Sequence, residues 1–371
     1  MDLVAVRPEG LYCAAGEFFI DPWRPVDRAV ITHAHGDHAR SGCARYLAAQ
    51  SAEHVLRTRL GDIALDTLAY GAPLRLRDVT VSLHPAGHVL GSAQVRIEHR
   101  GEVWVVSGDY KLDDDPTCDP FEPVRCDTFV SESTFGLPIY RWRDPRAVID
   151  DIGAWWRSNA DAGRASVLFC YAFGKAQRIL AGLAQSCALD TGPLVLHGAI
   201  EPLNRAYRAT GVMLPPGRRV TDVDATSLRH ALVLAPPSAA ASPWLRRFGD
   251  LRDGFASGWM QVRGARRRRG VDRGFVLSDH ADWPGLNAAI DATGASRIIV
   301  THGQVPIIVR WLNERGLRAQ AFETEFDDSG ENEALPAGAA DDEAATAPSA
   351  ERLAATDVAH SPAIDAGSSS S

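Results

Sequence analysis

The chain has little that would tie it to an oxidising compartment or to a membrane. Its six cysteines (Cys13, Cys43, Cys118, Cys126, Cys170 and Cys187) show no C-x-x-C pairing. The N-terminus lacks the basic segment and apolar core of a signal peptide. Both absences point to reduced thiols in a cytoplasmic protein. No run approaches the eighteen or so apolar residues that a bilayer span requires, which excludes membrane insertion. Positive charge is also short: 39 Lys and Arg stand against 47 Asp and Glu, a net of -8, which argues against a generally basic nucleic-acid-binding surface. Charge is nonetheless uneven, with arginine gathered at Arg263 to Arg269 and acid in excess after Glu323, and a local phosphate-binding groove stays open. What remains is the composition of an ordinary globular protein, 45% hydrophobic and 23% charged, with room in 371 residues for two domains or one large domain with an insertion.

The most informative stretch is Thr32-His33-Ala34-His35-Gly36-Asp37-His38, directly after the apolar run Arg28 to Ile31. Three imidazoles and a carboxylate on a loop leaving a buried strand suit a divalent ion such as zinc, for which histidine is a common ligand. A turn at Gly36 can aim His33 and His35 at one ion and Asp37 and His38 at another. The competing reading is a polar surface loop that happens to be rich in histidine. Four residues cannot complete two coordination spheres, so the rest of the chain decides.

Up to about Gly136, Phe18 to Ile20, Ala29 to Thr32, Val79 to His84, Ala93 to Glu98, Val103 to Ser107 and Thr128 to Ser131 read as strands, and His54 to Leu68 as one helix. Such a half is an α/β sandwich candidate. Three further polar loops follow apolar strands. Gly87-His88-Val89-Leu90-Gly91 could bring a third imidazole, although a lone histidine between glycines is more often structural. Gly108-Asp109 ends a strand, where an aspartate commonly makes an Asx turn, but a two-ion site needs a bridging carboxylate. Glu132 ends another strand, where burial demands a partner; it either caps the following turn or orients a catalytic group.

Beyond Tyr140, helix Val148 to Asn159, strand Ser166 to Cys170, a Gly-led helix through Leu180, strand Pro193 to His197, helix Glu201 to Ala209 and strand Leu232 to Ala235 alternate, as in a parallel-sheet unit inserted into the first domain. Gly174-Lys175 at a helix start is a candidate phosphate contact, though the stretch is not a Walker loop. Arg263 to Arg269, with Arg263, Arg266 and Arg267 as candidate phosphate contacts, is either a solvated turn or the place where a polyanion finds its field. His280 follows another apolar strand, and His302 ends the strand Arg297 to Val300. Helices are expected over Trp283 to Thr293 and Pro306 to Glu314, and a last strand over Leu317 to Glu323. His54, His84, His99, His197 and His230 lack metal-like neighbours and read as structural. From about Glu325 the chain is too poor in large apolar residues to fold and is expected to be disordered.

The ordered set His33-x-His35-x-Asp37-His38, His88, Asp109 and His302 resembles the metallo-β-lactamase superfamily signature. Ser131-Glu132-Ser133-Thr134-Phe135-Gly136, Ser278-Asp279-His280-Ala281-Asp282 and Val300-Thr301-His302-Gly303 look like motifs A, B and C of its β-CASP nucleases. The size and runs such as Asp21 to Asp27 look most like the bacterial DNA ligase-associated exonucleases. The resemblance implies an αββα metallo-β-lactamase sandwich over 1–140 and 259–326, an inserted α/β β-CASP cap over 141–258 and a tail over 327–371. It implies that His33, His35 and His88 hold one zinc, that Asp37, His38 and His302 hold a second, and that Asp109 bridges them, with another divalent ion such as manganese as a substitute. Two ions about 3.5 to 4 Å apart stabilise the attacking and leaving oxygens of a phosphodiester. It further implies a catalytic set of Asp37, Glu132 and His280, with Glu132 raising the His280 pKa so that the imidazole serves as general acid; a phosphate-anchoring role for His280 is the alternative.

The leading function is thus a zinc-dependent single-strand DNA exonuclease of repair, leaning to 5′-to-3′ polarity, with a ligase or helicase of the same pathway as partner. An RNA-processing β-CASP nuclease would use the same site, and no appended RNA-binding module of the usual kinds is evident. A small-ester hydrolase of the superfamily has no evident use for Glu132, His280 and the insertion. A non-catalytic subunit with a degenerate site is disfavoured by seven competent ligand positions.

Overall fold

The computed structural model describes residues 2–186 and 188–325, so the tail expected over 327–371 lies outside the described residues. Strands β1 (Ala5–Arg7), β2 (Gly10–Cys13), β3 (Phe18–Ile20), β4 (Arg28–Val30), β5 (Arg45–Ala49) and β6 (Leu65–Leu68) form one sheet in sequence order, antiparallel up to β3 and parallel from there on. Helix α1 (Glu53–Leu60) lies between β5 and β6. The apolar spacing fits one helix over 54–68, but the chain leaves it at Gly61 (φ +77), whose N–H caps Arg57 O. Leu65 to Leu68 then pair with Tyr46 to Ala49, so edge pairing outweighs helical spacing there.

Strands β7 (Leu74–Leu76), β8 (Val79–Pro85), β9 (Ala93–His99), β10 (Glu102–Val106) and β11 (Thr128–Ser133) begin a second sheet. The chain then builds α2 (Pro145–Asp161), β12 (Ala165–Phe169), α3 (Lys175–Gln185), β13 (Leu194–Leu196), α4 (Glu201–Ala209), α5 (Ala225–Leu228), β14 (Leu232–Ala235), β15 (Leu251–Ala256), α6 (Arg263–Arg269) and β16 (Arg273–Phe275). Its five strands make a third sheet, parallel throughout, in the order β13-β14-β12-β15-β16. Helix α7 (Trp283–Thr293), β17 (Arg297–Gly303), α8 (Val305–Glu314) and β18 (Arg318–Ala321) follow, and the last two strands complete the second sheet in the order β18-β17-β11-β10-β9-β8-β7. The protein is therefore a mixed α/β structure with several sheets.

Side-chain alternation along the strands explains the layers, because successive residues point to opposite faces. Val30, Leu47 and Ala49 of the first sheet share one buried cluster with Trp104, Val106, Val130 and Ile299 of the second, so these two sheets pack face to face. Their alternates point outward: Ala29, Tyr46 and Ala48 join α1, α2 and α3 in a second cluster, while Val105, Phe129, Ile298 and Val300 pack on Leu286 and Ile290 of α7 and Leu312 of α8. The third sheet repeats the pattern, with Leu168, Leu196 and Leu234 on one face and Val167, Val195 and Val233 on the other. Being buried on both faces, β12, β13 and β14 read as continuous apolar runs, as strands of parallel sheets do, whereas β15 and β16 carry charged residues.

Arg263 to Arg269 is a helix rather than a turn; arginine is a good helix former, and Gly270 (φ +66) ends it in the left-handed conformation.

Ile299 has no exposed surface between the two packed sheets. Ile299→Ala is expected to lower unfolding free energy by about 2–5 kcal/mol, measured by urea denaturation.

Candidate metal centre

The ends of β4, β8, β10 and β17, drawn from both packed sheets, converge on one buried site. After β4, Ala39 N–H and His38 N–H bond to His35 O, closing a turn that separates His33 and His35 from Asp37 and His38. Gly108 brings Asp109 to that loop: it has φ +58, and a Cβ there would sit 2.6 Å from Thr32 Cβ. At Gly303 (φ +87) a Cβ would lie 2.3 Å from the Ser133 carbonyl carbon, so β17 can press His302 against the end of β11 only with glycine following it.

Asp109 is at the centre, 4% exposed. Its carboxylate lies 3.5 Å from His33 Nε2, 3.4 Å from His38 Nε2, 3.8 Å from His88 Nε2 and 3.2 Å from His302 Nε2. His35 Nδ1 is 3.1 Å from His33 Nε2 and 3.0 Å from His88 Nε2, and Asp37 lies 3.5 Å from His38 Nε2. Donor atoms of His33, His35, His88 and Asp109 form one group with metal-ligand spacing, and those of His38, Asp109 and His302 a second that shares Asp109. Six of the seven sequence-derived ligand positions fall in these two groups, and Asp37 stands beside them next to His38.

Hydrogen bonds on the far side of each ring decide which nitrogen carries the proton. His88 Nδ1 is 2.8 Å from Asp279 O and His35 Nε2 is 3.3 Å from Phe173 O, and a carbonyl can only accept. His38 Nδ1 donates to Asp21 Oδ2 at 2.7 Å. Thr32 Oγ1 donates to Asp21, which leaves it to accept from His33 Nδ1 at 3.1 Å. Thr301 Oγ1 donates to Ser131 O and accepts from His302 Nδ1 at 2.9 Å. Neutral rings so bonded turn five lone pairs toward one another and toward Asp37 and Asp109. A cation in the gap relieves that repulsion, and outer partners of this type are what orient imidazoles on a metal. The donor set fits a divalent ion at each group.

The electrostatics agree. Burial, reinforced by neighbouring imidazoles, pushes His33 well below the usual histidine range and His35 and His88 down to about 3, which keeps them neutral and ready to ligate. Burial also opposes charge on His38 and His302, yet Asp109 outweighs it in both, with Asp37 and Asp21 adding to the effect at His38, and their pKa values rise. The field that draws a proton to these two rings draws a metal cation equally, so proton and metal compete and acid should release the metal.

Beside this site, His280 Nδ1 lies 3.0 Å from both oxygens of Glu132 and 4.0 Å from Asp109. Glu132 falls where β11 shifts register between Ser131 and Ser133, an irregularity that re-aims a strand side chain. Its carboxylate also accepts from Tyr110 N (2.9 Å) and Thr134 Oγ1 (2.6 Å). Burial disfavours the imidazolium, but Glu132 and Asp109 more than offset it, and the His280 pKa rises to about 9. The Trp142 indole N–H holds His280 O at 2.9 Å.

Not every sequence-derived residue reaches the site as anticipated. Lys175 is buried, its ammonium 2.7 Å from Asp279, so it is not presented as a phosphate contact; the helix start that suggested one packs inside the protein. Asp115, in the acidic run Asp113 to Asp115, has a carboxylate 3% exposed and 3.4 Å from Arg178 Nε. Arg263, Arg266 and Arg267 are exposed along a separate cleft. His230 bonds to Ala160 O, and His84 to Ser82, in structural roles. Sequence reasoning missed Asp21, which receives Thr32 N–H at 2.7 Å and anchors His38. An aspartate closing a short strand before proline carries no metal signature of its own.

No family model matches the chain. A probable DNA ligase of Opitutus terrae (strain DSM 11246 / JCM 15787 / PB90-1) is 32% identical over 317 residues, covering 84% of this chain and 30% of that protein. Endoribonuclease YSH1 of Yarrowia lipolytica (strain CLIB 122 / E 150) is 30% identical over 118 residues, covering 31% of this chain and 14% of that protein. The chain therefore spans less than a third of the length of either curated relative. Among solved structures, a protein of unknown function from Enterococcus faecalis V583 shares the fold, with a TM-score of 0.52 over 80% of this chain and 79% of that one at 11% identity. The site's histidine and aspartate groups have the spacing to hold metal ions. Among the described residues no helix is long and apolar enough to cross a membrane.

Asp21→Asn keeps shape but removes the charge behind His38. It is expected to weaken metal binding at the His38–Asp109–His302 group about 10- to 100-fold, read by competition with a chromogenic chelator.

Proposed function

We propose that this chain is a nuclease of the metallo-β-lactamase superfamily, β-CASP branch, that hydrolyses phosphodiester bonds of single-stranded DNA with two zinc ions. The observation that carries the reading is the Glu132–His280 pair set against the buried histidine and aspartate groups around Asp109. A hydrolase of small neutral esters has no evident need for a buried carboxylate that keeps an imidazole protonated beside the metals. In this reading the division is a sandwich over 1–140 and 259–326 with a cap over 141–258, and the protein works in the cytoplasm.

His33, His35, His88 and Asp109 would hold one ion and Asp37, His38, His302 and Asp109 the other. Bound there, the ions supply Lewis-acid stabilisation of phosphoryl oxygens and lower the pKa of a nucleophilic water. The protein's own part is orientation and proton movement. Asp21, Thr32, Thr301, Phe173 O and Asp279 O fix the ligand rings, while Asp37 and Asp109 offset the positive charge of the centre. Glu132 holds Nδ1 of His280, leaving the other ring nitrogen to deliver a proton to the leaving oxygen.

The name of the Opitutus relative favours DNA and a ligase as a partner activity, and an exonuclease trimming ends before joining, in the 5′-to-3′ direction, suits such a pairing. The name of the Yarrowia relative supports a second reading, an RNA-processing nuclease with the same chemistry. Hydrolysis of 5′- and 3′-labelled single strands of DNA and RNA, with and without a 5′ phosphate, separates the two. Degradation of DNA from its 5′ end is expected; preferential RNA cleavage would favour the second reading.

His280→Ala is expected to retain metal at the wild-type level, measured by elemental analysis, while hydrolysis falls about 10²- to 10⁴-fold. Loss of metal in that variant would contradict a role for His280 outside the ligand set.

A further inference from the structure

A cleft of about 920 Å³ lies along α6 and β16, lined in part by Arg143, Arg263, Arg266, Arg267 and Arg273, with Asp151 and Asp272 as the acids. Arg143 is paired to Asp151 at 2.9 Å, but among the described residues no carboxylate comes within ion-pair distance of Arg263, Arg266 or Arg267, which are all exposed. On a chain of net charge -8, three uncompensated guanidinium groups on one short helix make a local positive field.

A cluster of aromatic rings packs beside His280, and two of its members adjoin residues of this cleft along the chain. Phe135 has its ring 5.9 Å from that of His280 and 4.8 Å from those of both Trp142 and Trp259. Tyr140 packs 5.9 Å from each of the same two tryptophans. Phe135 and Tyr140 are buried, whereas Trp142 and Trp259 keep part of their surface exposed. Trp142 precedes Arg143, and Trp259 lies in the short turn Gly258–Gln261 that leads into α6. At Gly258 a Cβ would meet Phe135 at 2.6 Å, so this turn is pressed against the aromatic cluster.

We propose that Trp142 and Trp259, with Arg263, Arg266 and Arg267, form a track that holds a single-stranded nucleic acid on its way to His280, the indole faces stacking on bases and the arginines contacting phosphates. The proposal rests on the nuclease reading above and names how that site takes its substrate. Aromatic platforms beside a cationic groove suit unpaired strands, because every base has a face to stack while paired bases hide theirs. A duplex would engage the arginines alone.

The test uses the full chain freed of metal with a chelator, so that binding is read without cleavage. Anisotropy of a fluorescein-labelled single-stranded oligonucleotide is compared with competition by inorganic polyphosphate, which has the charge but no bases. Trp142→Ala and Trp259→Ala are each expected to weaken oligonucleotide binding roughly tenfold while leaving polyphosphate affinity within twofold, and Phe at either position should restore most of the loss. Arg263→Gln with Arg266→Gln should weaken both ligands and reduce the slope of log affinity against log salt by about 1.4. Circular dichroism and thermal melting check folding, and the arginine pair, being exposed, tests the charge half even where a tryptophan variant unfolds. Oligonucleotide affinity unchanged in the folded tryptophan variants, or a salt slope unchanged in the arginine pair, overturns the track. With metal restored, a wild-type chain that binds strands through these residues but cleaves none refutes the nuclease reading and supports the track. One that cleaves strands without using these residues does the reverse.

Discussion

The carboxylate of Asp109 is buried where ring nitrogens of His33, His38, His88, His280 and His302 all lie within 4.0 Å. Around it the outer hydrogen bonds of His33, His35, His38, His88 and His302 turn lone pairs inward. Such an arrangement is unfavourable without positive charge, and proteins hold like-charged or lone-pair-bearing groups together at functional sites because the surrounding fold over-determines them. Here the determinants are the face-to-face sheets, whose β4 and β10 ends meet through Thr32 and Gly108, and the parallel pair β11 and β17, which carries Glu132 and His302 side by side.

A second charged layer stands behind the first. Asp279 accepts the His88 Nδ1 proton with its carbonyl while its carboxylate meets Lys175 at 2.7 Å and Arg178 at 3.6 Å. Arg178 in turn bonds to Ser278 O and approaches Asp115. Because α3 carries Lys175 and Arg178 and leaves the third sheet, this buried network ties that sheet to the loop bearing His280. Breaking one partner of such a pair leaves an uncompensated buried charge, which gives Lys175 a structural weight that a solvent-facing phosphate contact would not have.

Much of the metal centre could be read from the chain because its signals are local: His33 to His38 is contiguous, and His88, Asp109, His280 and His302 each follow an apolar run. Helices α4 and α7 fall on the expected residues 201–209 and 283–293, where spacing and the proline near each helix start agree. What escaped depends on long-range pairing. The short strands β1, β2 and β7 have too few residues for alternation to register, and β6 reads as helix until β5 is beside it. Asp21 and Lys175 illustrate the same gap within the site, since a carboxylate's role behind a ligand and an ammonium's burial are both set by residues far away in sequence.

The proposed function places two divalent ions among the inward-facing lone pairs, with Asp109 shared by both ligand groups. Elemental analysis of the full chain, purified without chelator and passed over a metal-scavenging resin, measures this most directly. About two ions per chain, zinc foremost, are expected in the presence of these paired ligand groups. A folded chain that retains no metal and takes up none on titration with zinc or manganese would contradict the assignment of the site.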